Sequence, residues 1–123
     1  MLQMLLSINP EYVDRIVSGE KLYEYRKFRC REDVNKIIIY ATSPRKMVIG
    51  EVTIAGIIED TPARVWEQTK DHSGITYDFF KKYYEGKEKA IAYQLTDLLV
   101  YERPKRLSDI GVSSAPQSYC YIL

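Results

Sequence analysis

Cysteine and histidine are scarce in this chain. Cys30 and Cys120 stand far apart, neither belongs to a CxxC pair, and His72 is the only histidine. That excludes a disulfide framework and leaves no set of soft ligands at zinc spacing, so neither a metal nor a cofactor is expected. No apolar run is long enough to cross a bilayer. The opening stretch, Met1 to Ile8, has no basic lead and no small-residue cleavage site and runs straight into Asn9-Pro10. It therefore reads as a first strand, and the protein as cytoplasmic and free of membrane. Charge of one sign is not in excess either, the net value being +1. With 123 residues and 46% hydrophobic content, the chain is expected to fold as a single domain over residues 1–123 around a real core.

The charge is unevenly distributed. Residues 21 to 46 hold eight Lys or Arg against three acids, whereas residues 47 to 102 hold six against ten. A near-neutral protein with one concentrated basic segment can present a local positive face to an anionic partner, unless those charges pair with acids elsewhere on the fold.

Pattern along the chain gives mostly strands with three short helices. Gln3 to Ile8 is a strand, and Asn9 caps a helix that opens on Pro10, carries Tyr12, Val13, Ile16 and Val17 on one side and ends at Gly19. Residues 21 to 26 read as the next strand. Lys36 to Thr42 follows, with Ile37-Ile38-Ile39-Tyr40 too continuous for one wet face, and Ser43-Pro44-Arg45-Lys46 makes a hairpin turn. Met47 to Glu59 is a long strand in which Gly50 and Gly56 mark bends or bulges. Thr61-Pro62 starts a second helix through about Thr69, and Thr76 a third that ends at Gly86 with Phe79, Phe80, Tyr83 and Tyr84 as its buried stripe. Lys89 to Glu102 and Ser118 to Leu123 complete the strands. The fold class is α+β, mainly β: five or six mostly antiparallel strands forming a small closed or nearly closed barrel with about three helices.

The chemistry concentrates in Gly19-Glu20-Lys21-Leu22-Tyr23-Glu24-Tyr25-Arg26. Strand alternation sends Leu22, Glu24 and Arg26 to one face, and Lys21, just after the Gly19 turn, can swing its ammonium toward the other two charges. Arg26 offers a planar fork for a phosphate or a carbonyl-bearing base edge, Lys21 a point charge, and Glu24 an acceptor for an exocyclic amine. By themselves these residues fit better a plain ion pair of Glu24 and Arg26 along one strand face, with Lys21 turned to water. The run that follows holds Lys27, Arg29 and Arg31, which share a face if the segment stays extended and then track successive phosphates, with Phe28 turned to the core or to a base. A solvated edge strand accounts for the same pattern. Most of the eleven tyrosines are packing residues, Tyr83, Tyr84 and Tyr101 among them; Tyr40, with Thr42 and Ser43 at its strand end, is the exception assigned to a cleft.

The order strand, Pro-capped helix, GEKLYEYR, IIIYATSP, VIGEVTI and KAIAYQL resembles the ASCH family of the PUA-like superfamily, whose GxKxxExR pattern is met at Gly19, Lys21, Glu24 and Arg26. The resemblance implies a small β-barrel with a cleft between barrel and helices, and RNA or a nucleoside- or nucleotide-like molecule as partner. On that basis the first function is a non-catalytic module, with ligand held by Lys21, Glu24 and Arg26 and backbone held by the basic run. The alternative is a small hydrolase. Some relatives are similar to amidohydrolases that cleave acetylcytidine through a threonine activated by the motif lysine, and others are linked to RNA cleavage. Here the nucleophile position holds Glu24, which is no hydroxyl nucleophile; as an enzyme the chain would use Glu24 as general base, with Lys21 or Arg26 stabilising negative charge. His72 enters only if the fold brings it to the cleft.

Overall fold

Three polar side chains start the three helices. Asn9 accepts from the Glu11 amide at 2.9 Å and opens α1 (Pro10–Val17); Thr61 accepts from the Arg64 amide and opens α2 (Pro62–Thr69); Thr76 accepts from the Phe79 amide and opens α3 (Tyr77–Tyr83). Proline at the first turn of α1 and of α2 removes an amide that would have no helical partner. The computed structural model describes residues 2–123. It has six strands, β1 (Gln3–Ile8), β2 (Tyr23–Arg26), β3 (Lys36–Ala41), β4 (Met47–Asp60), β5 (Ala90–Lys105) and β6 (Tyr119–Ile122).

These strands form one sheet in the order β2-β5-β4-β3-β1-β6. Only β1 and β3 run parallel; the other neighbouring pairs are antiparallel. The continuous apolar run of β3 is explained by burial on both faces. Ile37 and Ile39 enter the main core with Met4, Leu6, Val52 and Tyr93, onto which α1 packs through Val13 and Ile16. Ile38 and Tyr40 enter a second cluster with Leu5 and Val48 on the opposite face. A third cluster joins Tyr25, Ala90 and Ala92 to Val65 of α2 and to Phe80 and Tyr84 of the α3 segment.

The long β4–β5 ribbon curls because its register slips beside Gly50 and Gly56. At Gly50 the Leu99 carbonyl lies where a Cβ would stand, so no larger residue fits without a backbone shift. The curl makes a half-barrel, in line with the small, mainly β barrel expected from the sequence, and β2 and β6 are its edges, each four residues long. Side chains cross the opening. The Arg26 guanidinium reaches the Ser7 carbonyl and the Ser118 hydroxyl, and the Phe28 ring stacks on Tyr119 with centroids 4.0 Å apart.

Several boundaries differ from the sequence reading. β2 begins at Tyr23, leaving Lys21 and Leu22 outside the ladder, and β5 runs on to Lys105. Residues 27 to 35 lie outside the strands, with a bend at Lys27 and Phe28 and a turn at Glu32 and Asp33, so Lys27, Arg29 and Arg31 are not carried on a regular strand. Val17 is exposed, and α3 ends at Tyr83, with Gly86 in the turn beyond it. Among the described residues no helix is long and apolar enough to cross a membrane. Cys30 and Cys120 are both free thiols.

Candidate functional site

Gly19 fixes where the motif begins. It takes φ +85° after the last turn of α1 and donates its amide to Ile16, which stops the helix; Lys21 then donates its own amide to the Arg15 carbonyl. The loop after α2 covers that turn. The His72 carbonyl accepts from the Leu22 amide, the Ser73 carbonyl accepts from Lys21 Nζ at 2.8 Å, and Arg15 Nη1 donates to the Gly74 carbonyl at 2.6 Å. Gly74, at φ +68°, lies directly against the Lys21 stem, where a Cβ would collide with the Lys21 methylenes. The motif lysine is thus clamped between α1 and this loop.

The result is a lysine only 2% exposed. Its ammonium stands 4.8 Å from the Tyr25 ring centroid, 5.8 Å from that of Tyr12 and 3.9 Å from Glu24 Oε1. Burial pushes its pKa down to about 8, against an upward pull from the Glu24 carboxylate. The single hydrogen bond to Ser73 leaves two of its three N–H donors without a protein partner among the described residues.

Glu24 is engaged on one oxygen. Its Oε2 accepts from Arg26 Nε at 3.0 Å and stands 2.9 Å from Arg26 Nη2 as an ion pair, while Oε1 makes no hydrogen bond to any described residue. Arg26 in turn donates Nη2 to the Ser7 carbonyl at 2.9 Å and Nη1 to Ser118 Oγ at 3.2 Å. The guanidinium therefore orients the carboxylate and spans the gap between β2 and β1. Such a shielded pair is chiefly a device for orientation, because its desolvation offsets its attraction.

Glu24 Oε1 and the Lys21 ammonium face a cleft of about 190 Å³. Its rim is polar, from Ser7, Asn9 and Arg26; its walls are aromatic, from Tyr12, Tyr25, Phe79 and Tyr83. Burial raises the pKa of all three of these tyrosines, that of Tyr25 to about 12, so their hydroxyls stay protonated at neutral pH. A larger hollow of about 470 Å³ lies on the other side of α3, between Pro62 and Ala63 of α2 and the α3 lysines, and holds no motif residue.

The structure brings Lys21, Glu24 and Arg26 together and separates the other residues singled out from the sequence. Gly19 caps α1 and does not line the cleft. Lys27 lies over the Tyr83 ring at 4.5 Å, Arg29 pairs with Glu59 at 3.1 Å, and Arg31 pairs with Asp33 at 3.2 Å. Tyr40 is buried in the cluster with Leu5 and Val48, and neither it nor Thr42 nor Ser43 lines the cleft. His72 contributes only its backbone there. Conversely, Phe79 and Tyr83, taken as core, form a wall, with Phe79 46% exposed. The doubled aromatics Phe79-Phe80 and Tyr83-Tyr84 carry that signal, since adjacent helical residues point about 100° apart and only the second of each pair is fully buried. Ser118 gave no signal, because its contact with Arg26 spans most of the chain. Among the described residues, no group of three or more His, Cys, Asp and Glu is arranged to hold a metal ion.

Comparison with known proteins agrees with this architecture. The ASCH domain family model matches residues 6–104. A crystal structure of ASCH from Zymomonas mobilis superposes with a TM-score of 0.88 at 30% identity, over 98% of this chain and 87% of that one. A protein of the same organism named an ASCH domain-containing ribonuclease is 32% identical over 96 residues, 77% of this chain and 65% of its own length. The uL22 protein of the large ribosomal subunit from Ureaplasma parvum is 30% identical over 120 residues, of which it has many more: the chain spans 97% of itself but 39% of that protein. The N-terminal domain of Staphylothermus marinus McrB, at 17% identity and a TM-score of 0.53, shares the fold alone. With the family model covering most of its length and a crystal structure of the family matching nearly all of it, this chain belongs to the ASCH domain family.

Proposed function

We propose that the protein binds RNA or a nucleotide-like molecule by taking one base into the cleft beside β2. The observation that carries this reading is the state of Glu24: one oxygen is fixed by Arg26 while the other is left open beside a buried ammonium. A base edge presents donors and acceptors side by side, and an open carboxylate oxygen next to unused lysine N–H groups is the complement of such an edge. The aromatic walls supply stacking faces, as single-stranded recognition requires. Size supports a single base, since pockets for drug-sized ligands run to about 300–1,000 Å³ and this cleft measures about 190 Å³. Arg26 acts chiefly by holding Glu24, and its Nη1 at the rim, shared with Ser118, is the group nearest to an incoming phosphate.

Thermal-shift titration of nucleosides, nucleotides and short single-stranded RNAs tests the reading, because a ligand that binds only the folded state raises the midpoint with its affinity. Glu24→Gln keeps the shape and turns an acceptor into a mixed group. It is expected to weaken the best ligand about tenfold or more and, because it leaves the shielded Lys21 and Arg26 charges without their carboxylate, to lower the unliganded melting point as well; binding is therefore compared at a temperature at which both proteins are folded. Equal binding by both proteins would remove Glu24 from the site.

A hydrolytic reading is favoured by one finding, that a relative 32% identical to this chain is named a ribonuclease. In that reading Glu24 Oε1 takes a proton from a water whose oxygen bonds to phosphorus as one P–O ester bond of the strand breaks, the leaving ribose oxygen is protonated from solvent, and Lys21 stabilises the negative charge that develops on the phosphate. Mass spectrometry of the same titration samples separates the two: release of cleaved RNA by the unaltered protein and none by Glu24→Gln supports chemistry, and intact RNA throughout supports binding alone.

A further inference from the structure

The basic segment that stands out in the sequence is largely spoken for in the fold, since Arg26, Arg29, Arg31, Lys36 and Arg45 each stand within salt-bridge distance of a carboxylate. Among the cations without such a partner, three gather at one place outside that segment. Lys81 and Lys82 of α3 and Lys87 just beyond it are exposed, none of them pairs with an acid among the described residues, and all three line the hollow of about 470 Å³ on the far side of α3 from the cleft. The acids in that hollow, Asp78 and Glu85, are likewise unpaired, so its balance is one positive charge. Asp78 sits in the first turn of α3, where the helix dipole favours it, which leaves the lysines to the solvent side.

Aromatic surface accompanies these cations. Tyr77 is 51% exposed at the hollow's edge, its ring centroid 5.3 Å from that of Trp66, which backs it. Between cleft and hollow runs the ridge of α3 itself: Tyr83 faces the cleft under Lys27 Nζ, and the next residue back, Lys82, faces the hollow. Cations bracketing a ridge, with a stacking face on either side, match the repeat of a nucleic-acid strand, in which phosphates alternate with bases.

We infer that the hollow between α2 and α3 is a second RNA subsite, which takes the nucleotide next to the one in the cleft, its base against Tyr77 and the strand's phosphates along Lys27, Lys82, Lys81 and Lys87. The inference rests on the reading of the cleft as a base site. It replaces the Arg29 and Arg31 path, whose cations already have carboxylate partners, with one across α3.

The test uses a mononucleotide, uridine 5′-phosphate, and single-stranded oligouridines of increasing length, titrated over a range of salt. The triple variant Lys81→Gln, Lys82→Gln, Lys87→Gln is compared with a charge-matched variant far from α3, Lys46→Gln, Arg103→Gln, Lys105→Gln. Each lysine on a phosphate contributes about 0.7 to the salt slope of single-strand binding, so the α3 variant is expected to flatten that slope by about 2 for the longer oligomers. Mononucleotide affinity should stay as it was, and Tyr77→Ala should weaken the oligomers by roughly tenfold, within the range of one lost stacking contact. An unchanged slope in the α3 variant, or an equal loss in the remote one, overturns the subsite while leaving the cleft reading intact. Failure of the unaltered protein to bind these ligands and every member of the thermal-shift series overturns both.

Discussion

At the scale of single residues, Lys21 governs what pH does to this protein. Burial lowers its pKa from 10.5 to about 8, whereas the unfolded chain keeps the proton up to the ordinary value. Between those two values the unfolded state holds more protons, so folding stability should rise with pH across the window and be lost again as pH falls through about 8. The gain by pH 10 is about 3 kcal/mol, most of what the whole shift supplies at about 1.4 kcal/mol per unit. Tyrosines act in the opposite sense above pH 10: Tyr25 and Tyr101 are pushed up to about 12 by burial, so the folded state then holds the extra protons and stability falls. Denaturant melts at a series of pH values should therefore show a maximum near pH 10, and Lys21→Met should abolish the rise while keeping the fall. A flat profile for the unaltered protein would mean that the ammonium is not desolvated. Affinity for an anionic ligand should decline through about pH 8, as the lysine loses its charge.

At the scale of elements, the loop between α2 and α3 is as much a part of the site as the motif strand, although nothing in the motif points to it. Gly74 combines φ +68° with direct contact against the Lys21 stem, whereas Gly86, at φ +76°, has open space where a side chain would go. Gly86→Ala should cost about 1 kcal/mol, the left-handed backbone alone. Gly74→Ala should cost about 2 kcal/mol or more, because the lysine stem must also move, and it should weaken ligand binding where Gly86→Ala does not. Equal costs from matched melts would show that the loop does not position Lys21. The helix starts were legible because Asn9, Thr61 and Thr76 act on amides two or three residues away, and the bends of β4 because glycine there is a local demand. Gly74 was not, since its constraint comes from a residue more than fifty positions earlier.

At the scale of the whole molecule, the cleft exists because the sheet curls without closing. β2, the end of β1 and the start of α1 form one side, α3 and the loop before it the other, and Arg26 crosses the opening to the Ser7 carbonyl and the Ser118 hydroxyl. The three motif charges and the strand-rich fold could be read from local pattern and family resemblance. Which aromatics wall the cleft could not, because Tyr12, Phe79 and Tyr83 carry the same apolar signature as core residues and differ only in what the third dimension sets against them. Tyr40 failed for the mirror reason: at a strand end beside a turn it looked accessible, yet the segment from Leu107 to Val112 helps to cover its face of the sheet. The most direct test is a proton–nitrogen NMR titration of the labelled protein with short single-stranded RNA. Shifts centred on the amides of Ser7, Asn9, Tyr12, Glu24 and Tyr83 are expected. Shifts confined to the opposite face, around Tyr40, Val48 and Leu107, or none at saturating RNA, would contradict a base-binding cleft beside β2.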